Sequence, residues 1–178
     1  MRAIVIGASL MLGLGLGACK ERQQVSGVVD ESLPSGFFLA ALPAQARTVE
    51  EAKAGATSGE VKPGDTIAVR GRIGGGKKPF VEGRAVLTLV GDGLPACSDN
   101  PDDKCTTPWD YCCESKSDIA KHSMTVQVLD LAGLPMKTRV RGQGGVKELS
   151  EVVVVGTVAQ VEGAIFVVNA TGMFVVKP

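Results

Sequence analysis

Apolar and polar positions along this chain fall into three successive patterns. Ala3 to Leu16 is an apolar run interrupted only by Ser9, and it sits behind the single charge of Arg2. Thr48-Val49-Glu50-Glu51 is an N-cap signature followed by helix formers through Ala56. It predicts a short helix over 48–55, ended in the region of Gly55 and Gly59. From Gly64 onward the period shortens to two. Ile67, Val69 and Ile73 alternate with Ala68, Arg70 and Arg72, with Gly71 interrupting the inward face. Arg84 to Val90 is rich in strand formers, and Ser123 to Leu129 places Met124, Val126 and Val128 on one face. Val152 to Val161 is a nearly continuous apolar run containing Gly156, and Ile165–Val168 and Met173–Val176 flank a bend at Asn169–Gly172. These are strand signals, and an interior glycine in a strand marks a bend or a close backbone approach.

Five such strands suit a small closed sheet, which leaves no Val-rich edge unpaired. Three strands, an intervening segment over 131–149 and two further strands form an order that resembles the OB-fold. Gly64-Asp65-Thr66-Ile67-Ala68-Val69-Arg70-Gly71 and Val152-Val153-Val154-Val155-Gly156-Thr157-Val158 are similar to its first and fourth strands. The resemblance implies an all-β class: a five-stranded OB-fold-like barrel over 62–178, preceded by a short helix. A long Cys-rich loop, 91–122, joins its second and third strands.

The leader carries an address. A charged start, a short apolar stretch and small residues before Cys19 read as a secretory signal over 1–18, too short for a membrane span. Leu16-Gly17-Ala18-Cys19 resembles the lipobox of bacterial lipoproteins. That resemblance implies cleavage before Cys19 and lipidation of its thiol, with the membrane as a partner through the lipid. Lys20 stands where the family's inner-membrane retention signal has Asp, so the outer membrane is favoured within the cell envelope. Residues 19–61 are read as a lipidated tether with the short helix, containing an apolar patch from Gly36 to Leu42.

Composition narrows the function. Basic and acidic side chains number 19 each, and the expected second and third strands contain no aromatic residue. A nucleic-acid binder normally shows a basic face with aromatic stacking platforms, so this partner class is disfavoured despite Arg70, Arg72, Lys77, Lys78 and Arg84. Gly71-Arg72-Ile73-Gly74-Gly75-Gly76-Lys77-Lys78 imitates a phosphate loop, yet Lys78 replaces the magnesium-binding hydroxyl. It reads as a flexible hairpin tip. No G-x-S-x-G occurs and there is one histidine, so no catalytic set is complete. The expectation is a non-enzymatic binding or assembly module whose partner is an envelope protein or small ligand.

The unusual chemistry lies in the loop, which holds Cys97, Cys105, Cys112 and Cys113, then His122, with the only Trp and the only Tyr of the chain. Thr107-Pro108-Trp109-Asp110-Tyr111-Cys112-Cys113 is similar to phrases in uncharacterised planctomycete-type lipoproteins, a resemblance that brings no activity with it. Setting Cys19 aside, four cysteines in an exported chain point to disulfides. Cys97 and Cys105 are each expected to bridge to one member of the Cys112-Cys113 pair, since adjacent cysteines pair poorly with each other. No cofactor is required in that reading. The alternatives are a zinc or copper ion held by Cys97, Cys105, Cys112, Cys113 and His122, or a redox-active thiol pair. Asp99, Asp102, Asp103 and Asp110 lack the spacing of a calcium loop and read as a solvated acidic surface.

Overall fold

The computed structural model describes residues 32–178. The leader, the lipobox and Cys19 therefore lie outside the described residues. The chain is mostly β. Its elements are β1 (Arg47–Thr48), α1 (Val49–Ser58), β2 (Thr66–Ile73), β3 (Val86–Val90), α2 (Lys116–His122), β4 (Ser123–Gln127), β5 (Glu151–Glu162) and β6 (Ile165–Lys177). The strands form one mixed sheet in the order β1-β2-β3-β4-β6-β5, with β5 also pairing with β2.

The pairing is uneven around this circuit. β2 and β5 run antiparallel from Thr66↔Thr157 to Arg72↔Glu151, whereas β2 meets β3 only at Arg72↔Val90 and Ile73↔Leu89. β4 pairs in parallel with β6 over Thr125–Gln127. The sheet thus has six strands instead of the expected five, because Arg47–Thr48 adds a short parallel strand beside β2.

Local sequence explains the helix. Thr48 accepts from the Glu51 N–H while the Glu51 carboxylate accepts from the Thr48 N–H, a complete capping box, and Gly59 in the left-handed conformation ends the helix. It runs three residues past the expected end. Gly55 does not stop it, because this bare face packs on Val61, whose Cγ2 lies 2.8 Å from where a Cβ would stand.

β6 is continuous where a bend was expected. The irregularity there is a β-bulge in β6 itself: Val155 and Gly156 pair with Gly172 and Ala170, leaving Thr171 unpaired, while β5 bulges at Ala159 between Val158 and Gln160. A Cβ at Gly156 would stand 2.8 Å from Ala170 Cα and still closer to the Asn169 carbonyl oxygen. At Gly71 it would meet the Val90 carbonyl oxygen at 2.7 Å. Both glycines are sites of close backbone approach, as their sequence context predicts.

The main core is built from the inward faces of the strands, including Val69, Ile73, Leu89, Val126, Val154 and Val168. Leu33, Phe37, Val49 and Ala52 join the same cluster. The apolar patch upstream of the strands therefore docks: Phe37 is buried, and Phe38 bridges to Met173 on β6. Among the described residues no helix is long and apolar enough to cross a membrane.

Candidate metal centre

The connection between β3 and β4 has a small core: Val90, Leu94, Ala96 and Tyr111 form a second buried cluster, with Ile119 and Leu149 packed against it. Two single-turn 3-10 segments, Cys97–Asp99 and Pro108–Asp110, and helix α2 give the loop its shape. The first turn is fastened to β2 by Arg72, which donates to Asp99 Oδ2 at 2.8 Å, while Asp99 caps the Ala96 N–H. The second is fastened to the residues after β2. The Gly75 N–H donates to the Trp109 carbonyl at 2.9 Å, and the Trp109 indole donates to the Lys77 carbonyl at 3.3 Å.

Gly74 makes this docking sterically feasible, since a Cβ there would stand 2.7 Å from the Tyr111 ring and 2.8 Å from the Trp109 carbonyl oxygen. The glycine-rich segment expected to be a flexible tip is thus, at Gly74 and Gly75, a seat for the loop. Tyr111 is buried and left-handed, with φ +56°. This backbone conformation is costly for a bulky residue unless packing holds it. Here the buried ring supplies the packing, and the chain reversal directs Cys112 back toward Cys105. Burial pushes the Tyr111 phenol up to about 12, so it stays neutral.

Four ligand-bearing side chains converge at this reversal. Cys105 Sγ lies 3.5 Å from Cys112 Sγ, and Cys97 Sγ lies 3.8 Å from Cys112 Sγ. With Asp110, their donor atoms all fall within 4.8 Å of one another. Asp110 is only 7% exposed, accepts from the Thr107 hydroxyl at 2.7 Å and the Cys112 N–H at 3.0 Å, and faces Cys105 Sγ at 3.9 Å. A second group comprises Cys97, Asp103 and Cys113, where Cys113 Sγ approaches Asp103 Oδ2 to 3.7 Å. Asp103 is held in turn by the Cys105 N–H at 2.8 Å.

The electrostatics distinguish the thiols. The Thr107 N–H, then the Cys112 thiol, lower the Cys105 pKa, whereas the sulfurs of Cys105 and Cys97, with burial and Asp110, push Cys112 far above the usual range. Within this pair the proton is therefore favoured on Cys112 and the charge on Cys105. Burial pushes Asp110 up, but its hydrogen bonds from Thr107 and Cys112 outweigh this and keep it ionised at neutral pH.

Cys97, Cys105, Cys112 and Cys113 stand as unbonded thiols in this structure, with the expected bridges not formed but their sulfurs already adjacent. Their separations match a tetrahedral ion. Thiolates ~2.3 Å from a tetrahedral zinc stand about 3.8 Å apart. His122 does not join them. Its Nδ1 pairs with Glu50 Oε1 at 2.8 Å, beside the Gly93 N–H that also binds Glu50. Of the alternative ligand set, His122 stays away from the sulfurs; the carboxylate that does converge with them is Asp110, which sequence reading assigned to a solvated acidic surface. The signal that could have found it is its position inside Cys105–Cys112, in a Thr-x-x-Asp phrase whose hydroxyl caps the carboxylate.

Three of the basic side chains weighed against nucleic-acid binding are engaged within the fold. Arg70 pairs with Glu151, Arg72 with Asp99, and Arg84 donates to the Pro135 carbonyl at 3.1 Å. Neither a protein-family model nor a curated protein matches this chain.

Proposed function

We propose that this chain is a lipid-anchored, non-enzymatic protein of the cell envelope whose loop 91–122 binds a soft cation, zinc foremost. Cys97, Cys105, Cys112 and Asp110 are its ligands. The scaffold is an OB-like barrel: β2, β3, β4, β6 and β5 pair in a circuit, with the parallel β4–β6 pair closing it. The observation that carries the metal reading is the convergence of three sulfurs and one buried carboxylate at near-tetrahedral spacing. Thr107 and the Cys112 N–H supply the outer hydrogen bonds that orient a metal-binding carboxylate. Soft thiolates favour zinc or copper(I) over magnesium or calcium.

The sulfur positions also support a second reading, a loop oxidised in an exporting compartment. There Cys105 would bridge to Cys112, its nearest sulfur, and Cys97 to Cys113. Metal analysis with thiol counting on protein purified anaerobically from its native envelope separates the two. Bound ion with titratable thiols on chelation supports the metal centre; four oxidised cysteines without an ion would replace it with the stapled loop.

A further inference from the structure

Cys97 belongs to both ligand groups of the loop. With Cys105, Asp110 and Cys112 it forms one set, and with Asp103 and Cys113 it forms the other. Cys113 falls outside the first set, although it adjoins Cys112 in sequence. Donors to one zinc ion lie ~2.0–2.3 Å from it, so their mutual separations cannot exceed about 4.6 Å. Each set nearly meets that limit by itself. The two carboxylates sit on opposite flanks: Asp110 faces Cys105 Sγ, whereas Asp103 Oδ2 faces Cys113 Sγ. Both are already oriented by backbone N–H groups, of Cys112 and Cys105 respectively.

We propose that Cys97 is a bridging thiolate shared by two metal ions, one held with Cys105, Cys112 and Asp110, the other with Cys113 and Asp103. This rests on the metal reading above and extends it from one ion to two. A thiolate sulfur keeps lone pairs after binding a first cation, so it can bind a second. Buried Cys97 lies between the two flanks, whereas Cys112 and Cys113 are exposed at the rim. The second set supplies three donors, leaving one tetrahedral position for water or an incoming ligand. Three protein ligands with an open position characterise an exchangeable or reactive zinc site, whereas the closed first set is of the structural kind. Four thiolates and two carboxylates carry six negative charges, which two divalent cations neutralise more fully than one.

The test uses the mature chain, purified anaerobically and loaded with zinc, and with cadmium-113 for NMR. Wild type is expected to bind two ions and give two cadmium resonances with mutual coupling through the shared sulfur. Cys113→Ser at the exposed rim and Asp103→Asn at a half-buried position are each expected to bind one ion and keep the downfield resonance of the three-sulfur site. Cys97→Ser is expected to lose both. Urea midpoints of the metal-free variants establish that each still folds. One ion in wild type, weakened by Cys113→Ser, would overturn the bridge in favour of a single four-thiolate site. One ion indifferent to Cys113 and Asp103 would also overturn it but leave the mononuclear centre standing. Absence of any bound ion would remove both proposals.

Discussion

At the scale of single residues, backbone proximity decides the largest effects. Gly156 faces Ala170 Cα and the Asn169 carbonyl, neither of which can move like a side-chain tip. Gly156→Val is therefore expected to destabilise by well over the ~1 kcal/mol of an average substitution, read as a lowered urea midpoint. Glu50 and His122 form a different kind of pair. Burial pushes the Glu50 carboxyl up, but hydrogen bonds from His122 and backbone N–H groups outweigh it and leave the pKa below its ordinary value. A depressed carboxylate contributes stability above the unfolded range near pH ~4.3, and this is lost as pH falls through the folded value. Urea midpoints measured between pH ~6 and ~3 should thus fall more steeply in wild type than in Glu50→Gln. His122→Ala is expected to cost about 1 kcal/mol through the lost hydrogen bond while leaving zinc affinity unchanged. A large loss of zinc affinity in that variant would restore His122 to the ligand set.

At the scale of elements, one lysine joins parts that are distant in sequence. Lys53 on α1 donates to the carbonyl oxygens of Ala120 at 2.6 Å, Ser123 at 2.9 Å and Ala164 at 2.8 Å. It thereby ties α1 to the end of α2, the start of β4 and the turn between β5 and β6. Burial lowers its pKa, partly offset by Glu50, and three oriented carbonyls satisfy the ammonium's three donors. Lys53→Met keeps the stem but orphans these carbonyls. A loss of ~1–3 kcal/mol is expected, with faster amide exchange concentrated over 116–123. Uniform exchange across the sheet would instead argue that Lys53 acts only through global stability. The helix itself was legible in sequence, because Thr48, Glu51 and Gly59 are local signals. The clamp was not, since its acceptors lie on other elements.

At the scale of the whole molecule, the folded unit reaches back to Leu33, so little chain separates it from Cys19. If Cys19 carries the lipid, Leu33 lies at most about 50 Å from the anchor, the reach of a fully extended span of that length. Cys19→Ser is expected to abolish acyl labelling and leave the protein as uncleaved precursor or released from the membrane fraction. Unchanged labelling would remove the lipoprotein reading. The proposed zinc binding should be unaffected in the same variant, because every candidate donor lies in residues 97–113.

Amino-acid order alone determined the five main strand segments, though not the short β1, and also where α1 starts and that Gly71 and Gly156 lie where backbones approach. Each follows from local periodicity, capping chemistry or the missing Cβ. It also marked the loop as the place of chemistry, through the density of its cysteines. Only tertiary structure decided which donors meet. His122 is held away from the cluster by Glu50 on α1, and Asp110 enters it where Tyr111 turns the chain at a left-handed residue. That turn is held by a buried ring seated on Gly74, at the end of a strand far away in sequence. Ligand convergence depends on such non-local packing, where a displacement of one residue exchanges a buried carboxylate for a solvated one. Along 91–122 only the Thr-x-x-Asp phrase before Cys112 points to Asp110, and no spacing there tells His122 apart from a ligand.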